Sequence, residues 1–482
     1  MHRLAQSEGR NMTHPLRLDP CRFFPAEPGV RRIAETLFEA VRGLPIVSSH
    51  GHADPAWFAD DAPFGDAAGL ILIPDHYLLR MLASQGVALE SLGVPPLDGG
   101  PFETDRQTIW RRFAECYHLF RGTPSRLWLD HVFAEVFGLS VRLEAETADL
   151  YFDAIGEALA SAEFRPRALF ERFGIEVLAT TEGALDPLKS HQALASSGWP
   201  GRVIPTFRPD DVTDPDRPGF PGRLARLADM TGEDTTRWDG YLAALRARRA
   251  HFRALGATAT DHGPPSAATD DLSHADCQGL LDRSLAGRME TPDAERFRAQ
   301  MLTEMAAMAC EDGMVMQLHP GSRRNHNPEL FQRFGRDMGA DIPASIDFVD
   351  ALKPLLDRFG GRPDFTLVLF TLDPATWARE LAPLAGGYPC LRLGAPWWFH
   401  DSVEGLLSFR RQVTETAGFY NTVGFADDTR SFVSIPARHD LARRIDCAFL
   451  AELVATHRLE MDEAAEVARD LAHGLAKAAY RL

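Results

Sequence analysis

The chain of 482 residues carries 51 Lys and Arg against 68 Asp and Glu, a formal net charge of −17, which argues against a nucleic-acid binder with a basic face. Hydrophobic residues at 45 % and charged residues at 25 % describe a globular rather than a disordered protein, and no apolar run approaches the ~18–20 residues that span a bilayer. The length accommodates one large domain with an insertion, or two to three ordinary domains.

In chain order, the N-terminus has no apolar h-region of a secretory leader, and Met12 offers an alternative start that would make the residues before it dispensable. Residues 1–27 are expected to form a tail. A cytoplasmic protein is expected, and the six scattered cysteines, with no C-x-x-C pair, do not read as a disulfide framework or a zinc ribbon.

Eight short β-rich runs then follow: Pro45–Ser49, Glu176–Thr180, Val203–Phe207, Ala257–Thr260, Val315–Leu318, Phe365–Phe370, Leu391–Gly394 and Thr422–Phe425. Helical spacing follows most of them, as at 222–255, 288–312, 346–360, 401–417 and 436–456. Such alternation predicts βα units and a (β/α)8 TIM-like barrel built from 28–55 and 171–482. No G-x-G-x-x-G or G-x-x-x-x-G-K-[ST] supports an open dinucleotide- or nucleotide-binding sheet. The long gap after the first run reads as helix at 66–86, 104–120, 124–138 and 146–162. It predicts a mostly helical insertion over 56–170, placed across the active-site mouth, because loops at the C-terminal ends of barrel strands lie there.

The candidate chemistry sits at the ends of the runs. His50-Gly51-His52 closes the first run, where residues two apart share one face of a strand, and two imidazoles there can bind one divalent metal. Asp427-Asp428-Thr429-Arg430 closes the eighth run, which neighbours the first in a closed barrel, so a carboxylate can complete the site. Arg208 follows the third run, Asp261-His262 the fourth, and His319 with Arg323-Arg324-Asn325 the fifth. Whether His262 or His319 touches the metal or orients its ligands is open at this stage. Several arginines at one mouth of an acidic protein suggest a local positive pocket for an anionic substrate. Asp75-His76-Tyr77 lies in the insertion and reads either as buried helix or as proton-handling groups. Trp397-Trp398-Phe399 reads as core or pocket wall.

Taken together and in order, these motifs resemble the uronate isomerase (glucuronate isomerase) family, a branch of the amidohydrolase superfamily. The matching residues run from His50, His52 and Pro55 through Asp75-His76-Tyr77 with Arg80, Thr180-Thr181, Pro205–Asp210 and Asp261-His262. They continue through Gln317–Gly321 with Arg324-Asn325, Trp397-Trp398-Phe399 with Asp401, and Asp428–Phe432, then Arg438-His439 and Arg443-Arg444. Three departures stand out. Gly51 replaces the family's usual Cys, Glu182-Gly183-Ala184 replaces its Asp-Asp-Pro, and Asp427 replaces the usual Thr. The changes at Glu182 and Asp427 are expected at strand ends on the mouth side.

The resemblance implies an aldose–ketose isomerase, an intramolecular oxidoreductase of hexuronate catabolism. It would interconvert D-glucuronate with D-fructuronate, and D-galacturonate with D-tagaturonate, by moving a proton from C2 to C1 through an enediol. It implies one divalent metal, zinc in the first place or manganese, on His50, His52 and Asp428. Asp428 would double as the base at C2, Tyr77 would shuttle the hydroxyl proton, and His76, Arg208 and Arg430 would hold the substrate. Arg324 and Arg438 are further substrate-binding candidates, with structural ion pairs as the alternative, and Trp398 is expected to wall the pocket. The partner is a small hexuronate, and a homo-oligomer is expected. Two competing readings are a metal-dependent hydrolase or decarboxylase on the same barrel and a non-catalytic sugar-acid binder.

Overall fold

A computed structural model describes residues 13–482; Met12 and the first part of the expected tail lie outside the described residues. The described chain divides into two compact units, one of 23–62, 166–326 and 341–482, the other of 13–22, 63–165 and 327–340. The second unit thus takes most of the expected insertion and adds two segments to which the hydrophobic pattern did not point.

The larger unit is built on strands β1 (Ile46–Ser48), β2 (Ile175–Gly183), β3 (Arg202–Arg208), β4 (Ala259–His262) and β5 (Val315–Leu318). A two-residue ribbon follows, β6 (Ser322–Arg323) with β7 (Ile342–Pro343), and then β8 (Leu367–Leu369) and β9 (Leu391–Leu393). β1, β2, β3, β4, β5, β8 and β9 pair in that order, all parallel.

The eighth expected run does not form a regular strand, yet it occupies the eighth place. Thr422 bridges Leu393 and Thr429 bridges Gly51, both in parallel. The Val423 N–H donates to the Leu393 carbonyl at 3.0 Å, the Asp428 N–H to His50 at 3.1 Å and the His52 N–H to Thr429 at 2.9 Å. Segment 421–429 therefore closes the ring into a barrel-like fold. It cannot stay extended because Gly424 and Asp428 take positive φ of 76° and 44°. At Gly424 a side chain has no room, since a Cβ would lie 2.7 Å from the Leu471 carbonyl oxygen.

Alternation along the strands sorts the core. Val47, Val177, Ala179 and Ile204 cluster with Ala476, and Ala259, Val315, Val368, Phe370 and Val423 cluster with Tyr480, so these positions face the interior. The alternate residues Phe207, Met316, Leu318, Leu367, Leu369, Leu391 and Leu393 face the helices in a larger cluster. Each such apolar side chain contributes about 1.5–3 kcal/mol on burial. The last helix, Leu475–Tyr480, fills the end away from the polar strand termini, and its Tyr480 hydroxyl donates to Gln317 Oε1 at 2.9 Å.

Two helical expectations are corrected. The run 222–255 is two helices, Phe220–Thr231 and Trp238–Ala254, because Gly232 adopts φ +77° and ends the first. The run 346–360 is helical only over Lys353–Phe359.

The smaller unit is mostly helical. Its helices Arg106–Cys116, Pro124–His131 and Ala148–Ala160 surround Trp110, Phe113, Tyr117, Phe133 and Tyr151, all buried. Asp105 and Thr123 cap the first two by accepting from backbone N–H groups, about 1 kcal/mol each. Among the described residues, no helix is long and apolar enough to cross a membrane.

Candidate active site

The polar strand ends of the larger unit converge on one cluster. β1 stops at Ser48, and His50 and His52 follow on the segment that pairs with 428–429. Gly51 between them is held close on two sides: a Cβ there would lie 3.4 Å from the Thr429 carbonyl oxygen and 3.5 Å from that of Ala179. His52 Nε2 is 3.3 Å and His50 Nε2 3.6 Å from Asp428 Oδ1. Asp428 reaches them because its backbone turns left-handed, a conformation that costs a non-glycine residue about 1–2 kcal/mol and that Asp tolerates better than most.

One atom from each of His50, His52 and Asp428 lies within 4.8 Å of the others, and among the described residues this is the group that could hold a metal ion. The donor chemistry fits a divalent cation. Burial pushes the His50 imidazole down to about 4 against the pull of Asp261 and Asp428, so it is neutral and free to ligate at pH 7. Burial works to raise the Asp428 carboxyl, but His52 and His50 hold it well below the usual range, so it is ionised. Two imidazoles and one carboxylate leave further positions open, as in catalytic rather than structural metal sites.

Behind the triad sits Asp261, which the sequence names only together with His262 as a polar strand end and to which it assigns no role. It is fully buried at the end of β4. Its Oδ1 is 2.9 Å from His319 Nε2 and 4.0 Å from His50 Nδ1, and its Oδ2 is 3.3 Å from Arg208 Nη1. Burial would raise this carboxyl, yet His319, Arg208 and His50 together hold it well below its ordinary value. The signal that could have found it is parity: Ala259 faces the interior, so Asp261 two residues on does too.

His262, one residue further, turns outward. Its Nε2 is 2.9 Å from Thr260 Oγ1, and burial pushes it down to about 4. It lines a cavity with Asp210, Asp214, Arg217, Gly263 and Arg298. His319 belongs with Asp261, and of the two histidines it alone joins the cluster.

Arg208 donates through Nε to Asp210 Oδ2 at 2.9 Å and faces Asp261. Burial would depress its guanidinium, but Asp210 and Asp261 hold it above its ordinary value. Gly263 makes room for this arrangement: a Cβ there would stand 2.5 Å from His319 Cε1 and 2.6 Å from Arg208 Nη2.

The aromatic side chain packed against the histidines is Trp397. The Trp397 ring lies 5.1 Å from that of His50 and 4.9 Å from that of His319, stacked on Phe370 at 4.4 Å. Trp398 instead lies under Arg324, whose guanidinium is 5.1 Å from the ring centre. Both Trp398 and Phe399 have positive φ, 23° and 66°, rare for bulky side chains.

Arg324 also donates to Asp341 Oδ2 at 2.7 Å. Arg438, buried, donates to Asp401 Oδ2 at 2.7 Å and to the Asp427 carbonyl at 3.1 Å, so it holds the turn before Asp428. Arg430 follows that turn, half-buried.

His76 and Tyr77 belong to the smaller unit. They open the helix His76–Ser84, with the Asp75 side chain accepting from the Tyr77 N–H at 2.8 Å. Their rings stack at 4.8 Å, and Tyr77 meets Trp128 edge-on at 5.8 Å.

Glu182 does not face the interior. Thr181 takes that face, donating to the Gly51 carbonyl at 2.9 Å, while Glu182 Oε1 sits 3.8 Å from His191 Nε2 on the helix Lys189–Ser196. Burial pushes the Glu182 carboxyl up to about 8 and the His191 imidazole down to about 4.

The chain is similar to known proteins along nearly its whole length. A family model described as glucuronate isomerase matches residues 30–480. The uronate isomerase of Rhizorhabdus wittichii is 63 % identical over 97 % of this chain and 99 % of its own. The crystal structure of glucuronate isomerase from Caulobacter crescentus superimposes with a TM-score of 0.95 at 56 % identity, covering 97 % of this chain and 98 % of that one. The uronate isomerase from Thermotoga maritima gives a TM-score of 0.89 at 25 % identity, covering 96 % and 99 %.

Proposed function

The chain belongs to the glucuronate isomerase family and is an isomerase, and from that premise we propose that it interconverts a hexuronate aldose with its ketose. The pairs are D-glucuronate with D-fructuronate and D-galacturonate with D-tagaturonate. The observation that carries this reading is the meeting of His50, His52 and Asp428 where the barrel closes.

These three residues would hold one divalent ion, zinc or manganese. When bound it would supply positive charge to the substrate's carbonyl and hydroxyl oxygens, where negative charge develops. The remaining chemistry falls to side chains. A C2 proton beside an aldehyde is too weakly acidic for water to remove quickly at pH 7, so a carboxylate must take it; this role is assigned to Asp428. The C2–H bond breaks, the electron pair forms the C1–C2 double bond of an enediol, and the aldehyde oxygen gains a proton. The C2 hydroxyl then loses its proton, the ketone forms at C2, and C1 receives the proton Asp428 carried. Tyr77 is assigned the shuttle between the two oxygens.

Arg208 and Arg430 are assigned to the substrate carboxylate and His76 to a hydroxyl. Arg324 is assigned to the substrate, and Trp398, which lies under its guanidinium, to the pocket wall. Arg208 is supported by its place beside Asp261 and Asp210, which fix the plane of its guanidinium. Arg438 is assigned to the turn, not to substrate. A cytoplasmic location is supported by six cysteines that form no disulfide, and a homo-oligomer remains part of the proposal. Hydrolysis or decarboxylation on the same barrel is not favoured.

The test is proton NMR of D-glucuronate and D-galacturonate in heavy water with the enzyme, with and without added zinc or manganese. The expected result is metal-dependent ketose, with deuterium from solvent at C1. Folded, metal-loaded protein that leaves both sugars unchanged would overturn the proposal.

A further inference from the structure

We infer that Asp427 and His439 form a positioning pair that aims the Asp428 carboxylate and so sets the affinity of the three-ligand site for its ion. The inference rests on the reading that His50, His52 and Asp428 hold a divalent metal.

Asp427 and Asp428 are adjacent acids with different fates. Asp427 is 1 % exposed, and its side chain meets a different histidine. His439 Nε2–H donates to its Oδ2 at 3.0 Å. His439 is itself buried near the start of the long helix Ile435–Ala455, with its ring edge-on to Phe425 at 5.0 Å.

The backbone of Asp427 is held as firmly as its side chain. Its carbonyl accepts from Arg438 Nη1 at 3.1 Å and from Thr429 Oγ1 at 3.2 Å. Asp427 is thus gripped through its carboxylate by one residue of the helix and through its carbonyl by the preceding residue of the same helix. The next backbone unit then turns left-handed, at φ 44°, and presents Asp428 Oδ1 to both imidazoles.

A left-handed residue with a side chain persists only where its surroundings over-determine it. Without the His439 anchor, the side-chain grip before this turn is lost and only the carbonyl contacts remain. The carboxylate of Asp428 would then sample orientations that miss one imidazole. Partners of this kind, one step removed from the ligands, commonly contribute 10- to 100-fold in metal affinity. Asp427 and His439 are therefore positioning residues: they touch neither substrate nor ion and act through Asp428.

The test uses the full chain and Co2+ as the probe. Wild type, Asp427→Ala, His439→Leu and His439→Gln are titrated with Co2+ against a competing chelator. The visible absorption of each cobalt-loaded protein is recorded, with circular dichroism and Tm as fold controls. Asp427→Ala and His439→Leu should bind Co2+ about 10- to 100-fold more weakly with altered visible bands. At saturating metal, kcat should fall while KM stays near wild type. His439→Gln, whose amide N–H can still donate to Asp427, should recover most of the affinity and the wild-type bands.

A folded Asp427→Ala or His439→Leu with wild-type affinity and spectrum overturns the inference, and so does a lowered Tm with an unchanged spectrum. If one variant fails to fold, the other removes the same contact from the opposite side. Wild-type protein that takes up no Co2+ overturns the metal reading itself, and the pair with it.

Discussion

His52 Nε2 and Asp428 Oδ1 lie 3.3 Å apart across the line where the first and last segments of the barrel meet. The backbone on either side is bonded as well, His52 N–H to the Thr429 carbonyl and Asp428 N–H to that of His50. The proposed ligand set is therefore carried by the bonds that close the ring, so loss of an imidazole should empty the site without opening the barrel. His52→Ala is expected to purify folded, with metal content by mass spectrometry near zero and kcat/KM reduced at least about 1000-fold, since the metal's charge stabilisation is lost. Stoichiometric metal with normal turnover in this variant would remove the site from the mechanism.

Tyr77→Phe isolates one hydroxyl. The ring contacts with His76 and Trp128 persist in the variant, so the helix His76–Ser84 and its Asp75 cap should be undisturbed. Loss of a proton-handling group costs about 100- to 10,000-fold, and kcat should fall in that range with little change in KM. A wild-type kcat would exclude Tyr77 as the shuttle.

Arg208→Lys asks whether a planar fork matters. Asp210 and Asp261 each take part of the guanidinium, and a lysine can satisfy only one direction at a time. A lost charge-assisted bond is about 1.5–3 kcal/mol, so KM for the uronate should rise about 10- to 100-fold in steady-state assays. An unchanged KM would place the substrate carboxylate elsewhere.

How far the site was legible in the sequence depends on the backbone at each residue. His50, His52 and Asp428 could be read because chain order makes the first and eighth barrel segments neighbours, whatever the local details. Asp261 and His262 read together because both close the same run; strand parity counted from Ala259 separates them, one inward to His319 and the other outward to Thr260. Asp427 and Asp428 were ambiguous for another reason. Their division of labour depends on a positive φ at an aspartate, and no glycine marks that turn. Trp397 and Trp398 part in the same way, at a left-handed tryptophan. The eight runs were visible as apolar clusters, but the eighth holds its place through isolated bridges, which periodicity does not foresee. The segment 327–340 joins the smaller unit by contacts distant in sequence, to which no local pattern points.

Glu182 offers a pH test away from the chemistry. Burial holds its carboxyl protonated up to about 8 in the folded chain, whereas in the unfolded chain it ionises near ~4.3. The folded state therefore binds the extra proton between those values, and stability falls as pH rises from about 4.5 to about 8, then levels. One pKa unit is about 1.4 kcal/mol, so the loss amounts to a few kcal/mol at most. Glu182→Gln removes it: thermal unfolding should give equal Tm for variant and wild type near pH 4.5 and a higher Tm for the variant at pH 8. A constant Tm difference across that range would show that Glu182 is ionised in the fold.

Gly263→Ala tests the packing of the polar cluster without touching a charge. The added methyl would stand 2.5 Å from His319 Cε1 and 2.6 Å from Arg208 Nη2, so one or both must move. The backbone has little freedom to yield, because the Gly263 N–H donates to Asp210 Oδ1 at 3.2 Å and His262 accepts from the His319 N–H at 2.9 Å. The displacement therefore falls on the side chains that surround Asp261. Shifts on the order of 1 Å at a reacting site cost about 100-fold in rate, so kcat/KM should fall by roughly that factor while Tm drops only a few degrees. Gly263→Ala with wild-type kinetics would mean that His319 and Arg208 can be displaced at no cost, and would remove both from the working site.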